Sequence, residues 1–163
     1  MNITLLEVQD LKDVQILYPL KNLQVLKLHG GTIDKLSVLS FFPTLISLTL
    51  DSLPVQHISE IQHLSQLQKL HIISCPIRHI DPLRDFTDLR ELAIVDTEVS
   101  KIDTLRNLSQ LWHLELVDNQ IPPIVGFDKF KELKYLRLNK TLLSERIVKK
   151  LKRNFPKLKI DWV

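Results

Sequence analysis

The chain has 163 residues, of which 44% are hydrophobic and 6% aromatic, and its formal net charge is +3 at pH 7. This length fits one domain, and the absence of any run of about 18 apolar residues disfavours a membrane-spanning protein. A single cysteine and an acidic rather than basic start disfavour a disulfide-rich secreted protein, so we expect a cytoplasmic location.

A short leucine pattern, L-x-x-L-x-L, recurs along the chain. A weaker first copy consists of Ile3, Leu6 and Val8, and the next copy follows 20 residues later. Six full copies, each 22 residues after the last, begin at Leu23, Leu45, Leu67, Leu89, Leu111 and Leu133. A last weaker copy, on the same spacing, consists of Phe155, Leu158 and Ile160. A fixed period of this size predicts a solenoid, here with about eight short strands.

The segments between these patterns also repeat. Two apolar positions recur three residues apart, the first at Leu36, Ile58, Ile80, Ile102 and Ile124, the second at Leu39, Ile61, Leu83, Leu105 and Phe127. The residue after the first position is Ser37, Ser59, Asp81, Asp103 or Val125. Four of these five side chains can accept hydrogen bonds from backbone N–H groups, which predicts that a short helical turn starts there.

The two ends of the chain differ. Residues 144–155, SERIVKKLKRNF, have a potential N-cap in Ser144 and are followed by Pro156, which predicts an amphipathic helix within a C-terminal cap over 144–163. Its basic side chains form a solvated face or a contact surface for an acidic partner. The first strand has no such cap, so its edge could pair with another chain.

On these repeats the chain resembles the leucine-rich repeat family, in the 22-residue class of internalins and protein phosphatase 1 regulators, with a cap similar to bacterial members. The resemblance covers 1–163 as one domain. It implies a right-handed α/β solenoid with a parallel β-sheet on its concave face, short helical or extended turns on its convex face and a C-terminal capping helix. The family usually has Asn or Cys at a turn position after each strand. Here that position holds Leu11, Gly31, Leu53, Cys75, Thr97, Asn119 and Thr141, so its hydrogen-bond ladder is mostly missing.

The residues between the leucines are predicted to face the concave surface, because side chains alternate along a strand. The predicted partner-binding residues are His71, Ile73, Ala93, Val95, Trp112, His113, Glu115, Val117, Tyr135 and Arg137. Ile73, Val95 and Val117 would form an exposed apolar ladder beside a shallow dip at Ala93. Such a surface indicates a binding site, although packing between strands would also explain it.

Two features of this face have two interpretations each. Trp112 is either a binding anchor or an internal stack against the cationic stems of Arg90 and Lys134. The charges that alternate across strands, Glu115 beside Arg137 for example, are either binding groups or plain ion pairs of little energetic weight.

The sequence disfavours catalysis and metal binding. None of its six histidines has the spacing of a metal site, and no glycine-rich loop or nucleophile motif occurs. We therefore predict a monomeric, non-enzymatic protein-interaction module without cofactor or metal, such as a bacterial effector or an inhibitor of a cognate enzyme. The alternative is a structural scaffold or oligomerisation domain that uses its N-terminal edge. Nucleic acid binding is disfavoured, because the basic run lacks interleaved aromatic residues.

Overall fold

The computed structural model describes residues 3–123, 130–139 and 142–163. Four residues of the predicted repeat pattern lie outside these ranges: Ile124, Val125, Phe127 and Thr141. Within the described ranges no helix is long and apolar enough to cross a membrane.

Within the described ranges, eight parallel strands form one open sheet in chain order, so each strand pairs only with its neighbours in sequence. They are β1 Leu5–Leu11, β2 Val25–Gly31, β3 Ser47–Asp51, β4 Lys69–Ile73, β5 Glu91–Val95, β6 His113–Val117, β7 Tyr135–Leu138 and β8 Lys159–Trp162. Parallel neighbours joined through a crossover make a right-handed coil. The predicted solenoid is confirmed.

Short 3-10 helices lie opposite the sheet, at Val14–Leu17, Ser37–Phe41, Ser59–His63, Asp81–Asp85 and Asp103–Asn107. Four of them begin at the predicted Ser or Asp. The predicted capping by those side chains is wrong: Ser59 Oγ donates to Glu60 Oε2 at 3.0 Å, and Asp103 pairs with Arg106 at 2.9 Å. Backbone carbonyls close these turns instead, as Ile58 O does for the N–H of Ile61.

The core lies between the sheet and these turns. The strand leucines, such as Leu92, and the aliphatic residues of the return segment, such as Leu105, are fully buried together. Burial of one such side chain contributes about 1.5–3 kcal/mol. The leucine pattern therefore supplies most of the driving force for stacking one repeat on the next.

A left-handed residue lies within one residue of the carboxyl end of each strand from β1 to β6. The backbone φ is positive at Asp10, Gly30, Ser52, Ser74, Asp96 and Asp118. The following position holds a hydrogen-bonded group in three repeats: Cys75, Thr97 and Asn119. In two others it holds a buried leucine, Leu11 or Leu53. The predicted departure from the family's asparagine ladder is therefore present, with Thr97 as an unpredicted polar member.

The C-terminal cap begins with helix α1, Glu145–Asn154, which follows Ser144 as predicted. Leu151 is buried, and Ile147 and Val148 are partly buried against the core. Ser144 contributes its backbone carbonyl, not its side chain, to the N–H groups of the first turn. The helix thus covers the last repeat with the apolar face that the sequence indicates.

The register of β8 corrects the repeat pattern. β1 follows the predicted step of 20, with Leu6 opposite Leu26. At the other end, Tyr135 lies opposite Lys159, a step of 24 residues instead of the predicted 22. The predicted last copy of the pattern would place Leu158 opposite Leu136, and this is wrong, because Ile160 lies there instead. The reason is that helix α1 replaces the usual return segment, so the end of the helix sets the start of β8.

Candidate functional site

All predicted binding residues except Trp112, which directly precedes β6, occupy adjacent strands in register. Ile73, Val95 and Val117 are successive partners across β4, β5 and β6. A second column runs from His71 through Ala93 and Glu115 to Arg137, and His113 lies opposite Tyr135. The predicted alignment of these side chains on one face of the sheet is confirmed. We call this face, which points away from the core, the concave face.

The predicted exposure of the apolar ladder is wrong at its last member. Val117 is only 4% exposed and Ala93 only 3%, whereas Ile73 and Val95 are half-buried. The alternation of side chains along a strand sets the face on which a side chain lies, whereas the neighbouring side chains determine its solvent exposure. Ala93 lies between the larger side chains of His71 and Glu115, which explains its cover. The apolar surface of this ladder therefore reduces to Ile73 and Val95.

His71 lies half-buried at the edge of this surface. Its Nε2 atom is buried and has no hydrogen-bond partner among the described residues. Burial, followed by the charge of Lys69, lowers the pKa of the His71 imidazole below its ordinary 6.5, against the opposite influence of Glu91 and Glu115. Near neutral pH this ring is therefore uncharged, and it presents an apolar surface with one unused polar atom.

Charged side chains link β6, β7 and β8 on the same face. Glu115 contacts His113 Nε2 at 2.8 Å and Arg137 Nη1 at 3.5 Å. Asp161 lies 3.5 Å from Arg137 Nε and accepts a hydrogen bond from the Tyr135 hydroxyl at 3.2 Å. The predicted ion pair of Glu115 with Arg137 is present. Partly exposed pairs of this kind contribute about 0–1 kcal/mol, so their main effect here is to fix side-chain positions.

An aromatic cluster lies at the amino ends of β6 and β7. The ring centroids of Trp112 and His113 are 5.4 Å apart, with the rings at 77°, an edge-on contact. His113 and Tyr135 are 4.4 Å apart at 42°. Such pairs stabilise by about 0.5–1.5 kcal/mol beyond the area they bury. Trp112 therefore has His113 as its ring partner and is held at a fixed place beside the sheet.

A cavity of about 350 Å³ opens beside this cluster. We call it the Trp112 pocket; it is lined by Trp112, His113, Lys134, Tyr135, Lys157 and Lys159. Its volume is at the lower end of the range for ligand pockets. The sequence identified the three aromatic members but not the lysines as site residues. Lys159 reaches Tyr135 only through the shifted register of β8, which the repeat period does not reveal.

A second cavity, of about 470 Å³, lies at the carboxyl ends of β4–β6 and includes Cys75, Asp96 and Asp118. Burial raises the pKa of the Cys75 thiol, which disfavours the reactive thiolate. Among the described residues, no group of three or more His, Cys, Asp or Glu side chains is arranged to hold a metal ion.

Solved structures with the same arrangement of strands come from bacteria. The chain is similar to internalin C2 of Listeria monocytogenes, with a TM-score of 0.86 and 26% identity, over 99% of this chain and 71% of that one. The chain has a leucine-rich repeat fold. Internalin F of the same bacterium gives a TM-score of 0.77 at 23% identity, over 93% of this chain and 51% of that one.

A leucine-rich repeat protein of Leptospira interrogans gives a TM-score of 0.77 at 17% identity, over 98% of this chain and 49% of that one. This leucine-rich repeat chain thus spans about half the length of two of these proteins. No family model and no curated protein matches the sequence. The leucine-rich repeat neighbours support, in general terms, a protein-interaction module.

Proposed function

We propose that this leucine-rich repeat chain is a non-enzymatic module that binds a protein partner on its concave face. The proposed contact residues are the accessible members of the set predicted from the sequence: His71, Ile73, Val95, Trp112, His113, Glu115, Tyr135 and Arg137. The other two members, Ala93 and Val117, are buried and lie in the same columns of the sheet. The observation that carries the proposal is the Trp112 pocket, an aromatic cavity on an ordered sheet. Tryptophan, tyrosine and arginine dominate interface energetics. Because the cross-strand pairs already hold these side chains, little ordering entropy is lost on association.

The resemblance to bacterial leucine-rich repeat proteins supports a narrower role, as an effector or as an inhibitor of a cognate enzyme. A single buried cysteine suits a reducing, cytoplasmic setting. In this role the chain itself supplies no reacting group: it would act as a rigid surface that covers part of its partner.

The test is capture of partners on immobilised protein. A double variant, Val95→Asp with Trp112→Ala, introduces a charge and removes an aromatic anchor on the concave face. We expect it to lose the partners that the wild type captures. The matched variant, Ile16→Asp with Phe41→Ala, makes the same chemical changes at exposed positions outside the concave sheet. Equal capture by the concave-face variant and the wild type would refute the proposal.

A second candidate function, a scaffold or oligomerisation domain, is favoured by the first two repeats. Leu5 and Ile16 are each 58% exposed and Phe41 is 52% exposed, and the edge of β1 away from β2 has no partner strand among the described residues. Exposed apolar side chains beside an open strand edge favour association. Light scattering over a range of concentrations tests it. A concentration-dependent dimer that Ile16→Asp with Phe41→Ala converts to monomer supports this function, and a monomer throughout rejects it.

A further inference from the structure

The Trp112 pocket has a cationic rim that the concave face does not neutralise. Lys134, Lys157 and Lys159 are exposed, and none of them forms an ion pair within the described parts of the chain. The acidic groups that neighbour the pocket residues in the sheet already have partners. Glu91, opposite His113, pairs with Lys69, and Glu115 and Asp161 are bonded to His113, Arg137 and Tyr135. The three ammonium groups are therefore available to a ligand.

The rim is part of a larger charge asymmetry. Residues 129–163 contain twelve Lys and Arg against three Asp and Glu, whereas residues 1–128 contain ten against sixteen. The step of 24 residues into β8 then places Lys159 opposite Tyr135, and the amide of Lys159 bonds to the carbonyl of Lys134 at 2.9 Å. Lysines at or just before the starts of β7 and β8 thus line one aromatic cavity. Fixed charge of one sign around a cavity concentrates and orients ligands of the opposite sign.

The interior of the pocket differs from its rim. Three of its lining residues, Trp112, His113 and Tyr135, have rings, and we call these rings the aromatic floor. The centroid of the His113 ring lies 5.4 Å from that of Trp112 and 4.4 Å from that of Tyr135. Such a floor favours a large apolar side chain, because aromatic surface gains most when water is displaced from it. A cavity of about 350 Å³ accommodates one or two such side chains.

We propose that the Trp112 pocket receives an acidic segment of the partner protein, with one large apolar side chain on the aromatic floor and flanking carboxylates paired with Lys134, Lys157 and Lys159. This inference rests on the proposed protein-binding function and specifies the chemistry of the partner. A protein segment fits better than a nucleic acid for two reasons. A continuous phosphate backbone along the sheet would meet Glu115 and Asp161, and single-stranded nucleic acid needs several successive stacking platforms, not one.

The experiment uses a phage-displayed library of random nonapeptides, selected on the full chain and depleted on the Trp112→Ala variant. We expect the enriched peptides to be acidic and to share a leucine or an aromatic residue. Binding of the enriched peptides is then measured by fluorescence anisotropy. Lys157→Glu with Lys159→Glu should weaken it roughly tenfold or more. The matched control, Lys149→Glu with Lys152→Glu on α1, makes the same change in net charge at exposed positions outside the pocket and should leave the affinity within about twofold.

The inference would be overturned if no peptide were enriched, or if the enriched peptides were neutral or basic. It would also be overturned if the control variant lost as much affinity as the pocket variant, or if a random single-stranded DNA pool bound the same lysines in preference to the peptides. A photo-reactive residue placed at position 95 or 135 separates this failure from that of the proposed function. Crosslinking of a captured partner at 95 but not at 135 would retain the concave-face function and reject the acidic segment. Crosslinking at neither position would reject both.

Discussion

Asn119 holds two strands together at the turn after β6. Its Nδ2 donates to the carbonyls of Ile94 at 2.7 Å and Val117 at 3.0 Å, and its Oδ1 accepts from the hydroxyl of Thr97 at 2.6 Å. One side chain thus satisfies backbone groups of both β5 and β6. When a buried polar group loses its hydrogen-bond partner, the free-energy cost exceeds the net contribution of the bond, because water cannot reach the group to replace the partner.

We predict that Asn119→Ala lowers the free energy of unfolding by about 1–3 kcal/mol. It removes one donor from each of the carbonyls of Ile94 and Val117 and the acceptor of the Thr97 hydroxyl, whereas the Asp96 N–H still bonds to Val117 O at 2.9 Å. Urea unfolding followed by circular dichroism measures it. The neighbouring exposed residue provides the control, since Gln120→Ala should change the free energy by less than about 0.5 kcal/mol. Equal effects of the two substitutions would show that the hydrogen bonds of the Asn119 amide do not contribute measurably to stability.

His71 gives the stability of the chain a pH dependence with a definite sign. Burial and Lys69 lower its pKa in the folded state below the ordinary 6.5. Between these two pKa values the unfolded chain binds more protons than the folded one, so stability rises with pH there. The contribution is fully present above about 6.5 and is lost as the pH falls through the folded-state pKa.

We predict that wild type loses more stability than His71→Gln when the pH is lowered from about 7.5 to about 5. The measurement is the difference between the urea midpoints of wild type and His71→Gln at each pH in this range. This difference separates the contribution of His71 from that of the other histidines. His63→Gln, at an exposed position, is the control and should follow wild type. Parallel curves for wild type and His71→Gln would disprove the depressed pKa.

At the residue scale, the sequence predicted which side chains share a face but not how exposed each of them is. The alternation of leucines was enough to place Ile73, Val95 and Val117 in one column. The burial of Val117 and Ala93 depends on the lengths and rotamers of side chains on adjacent strands, which a period in sequence does not specify.

The last two residues of β2 are glycines with different constraints. At Gly30, where φ is +64°, an added Cβ would lie 2.7 Å from Asp10 Oδ1, an atom at the end of a side chain that can rotate. At Gly31, where φ is +101°, it would lie 2.5 Å from the backbone carbonyl oxygen of Leu11. Backbone atoms of a paired strand cannot move aside without breaking the sheet, so only Gly31 is sterically required.

We predict that Gly31→Ala destabilises the chain by about 3 kcal/mol or more, because it adds a backbone clash to a conformation that L residues avoid. Gly30→Ala should cost only about 1–2 kcal/mol, the penalty for a left-handed L residue. Urea unfolding of both variants measures the contrast. A smaller effect at Gly31 than at Gly30 would contradict the close approach of β1.

At the element scale, the strands were predictable from the leucine repeat, and helix α1 was predictable from its amphipathic pattern. The start of β8 was not, because the repeat period carries no information across a segment that is no longer a repeat. Helix α1 ends at Asn154, and the chain then needs the length from Phe155 to Leu158 to return to the sheet. The lysine rim of the Trp112 pocket was missed for the same reason.

On the scale of the whole molecule, each strand of the described residues is hydrogen-bonded only to its neighbours in sequence. The stability of such an array is close to a sum of contributions from each repeat and each interface. β1 and β8 each have one partner strand and are largely exposed, whereas β3–β6 have two partners and fully buried leucines.

We predict that amide hydrogen exchange is slowest in β3–β6 and fastest in β1 and β8, because the terminal repeats open without disrupting the centre. Exchange followed by mass spectrometry of peptic fragments gives the profile. Uniform protection from β1 to β8 would mean that the chain opens only as one cooperative unit.

The constant step from Leu23 to Leu133 has a consequence for how such a chain can change in length. Since β2 to β6 are joined by equal steps of 22 residues and in matching register, one whole unit could be duplicated or deleted between β2 and β5, which do not line the Trp112 pocket, without mismatching either flank. Such a change would move β1 nearer to or farther from the Trp112 pocket by one strand spacing of about 4.8 Å. The length of the concave face can thus change by whole repeats, while the Trp112 pocket, which the final units build, stays intact.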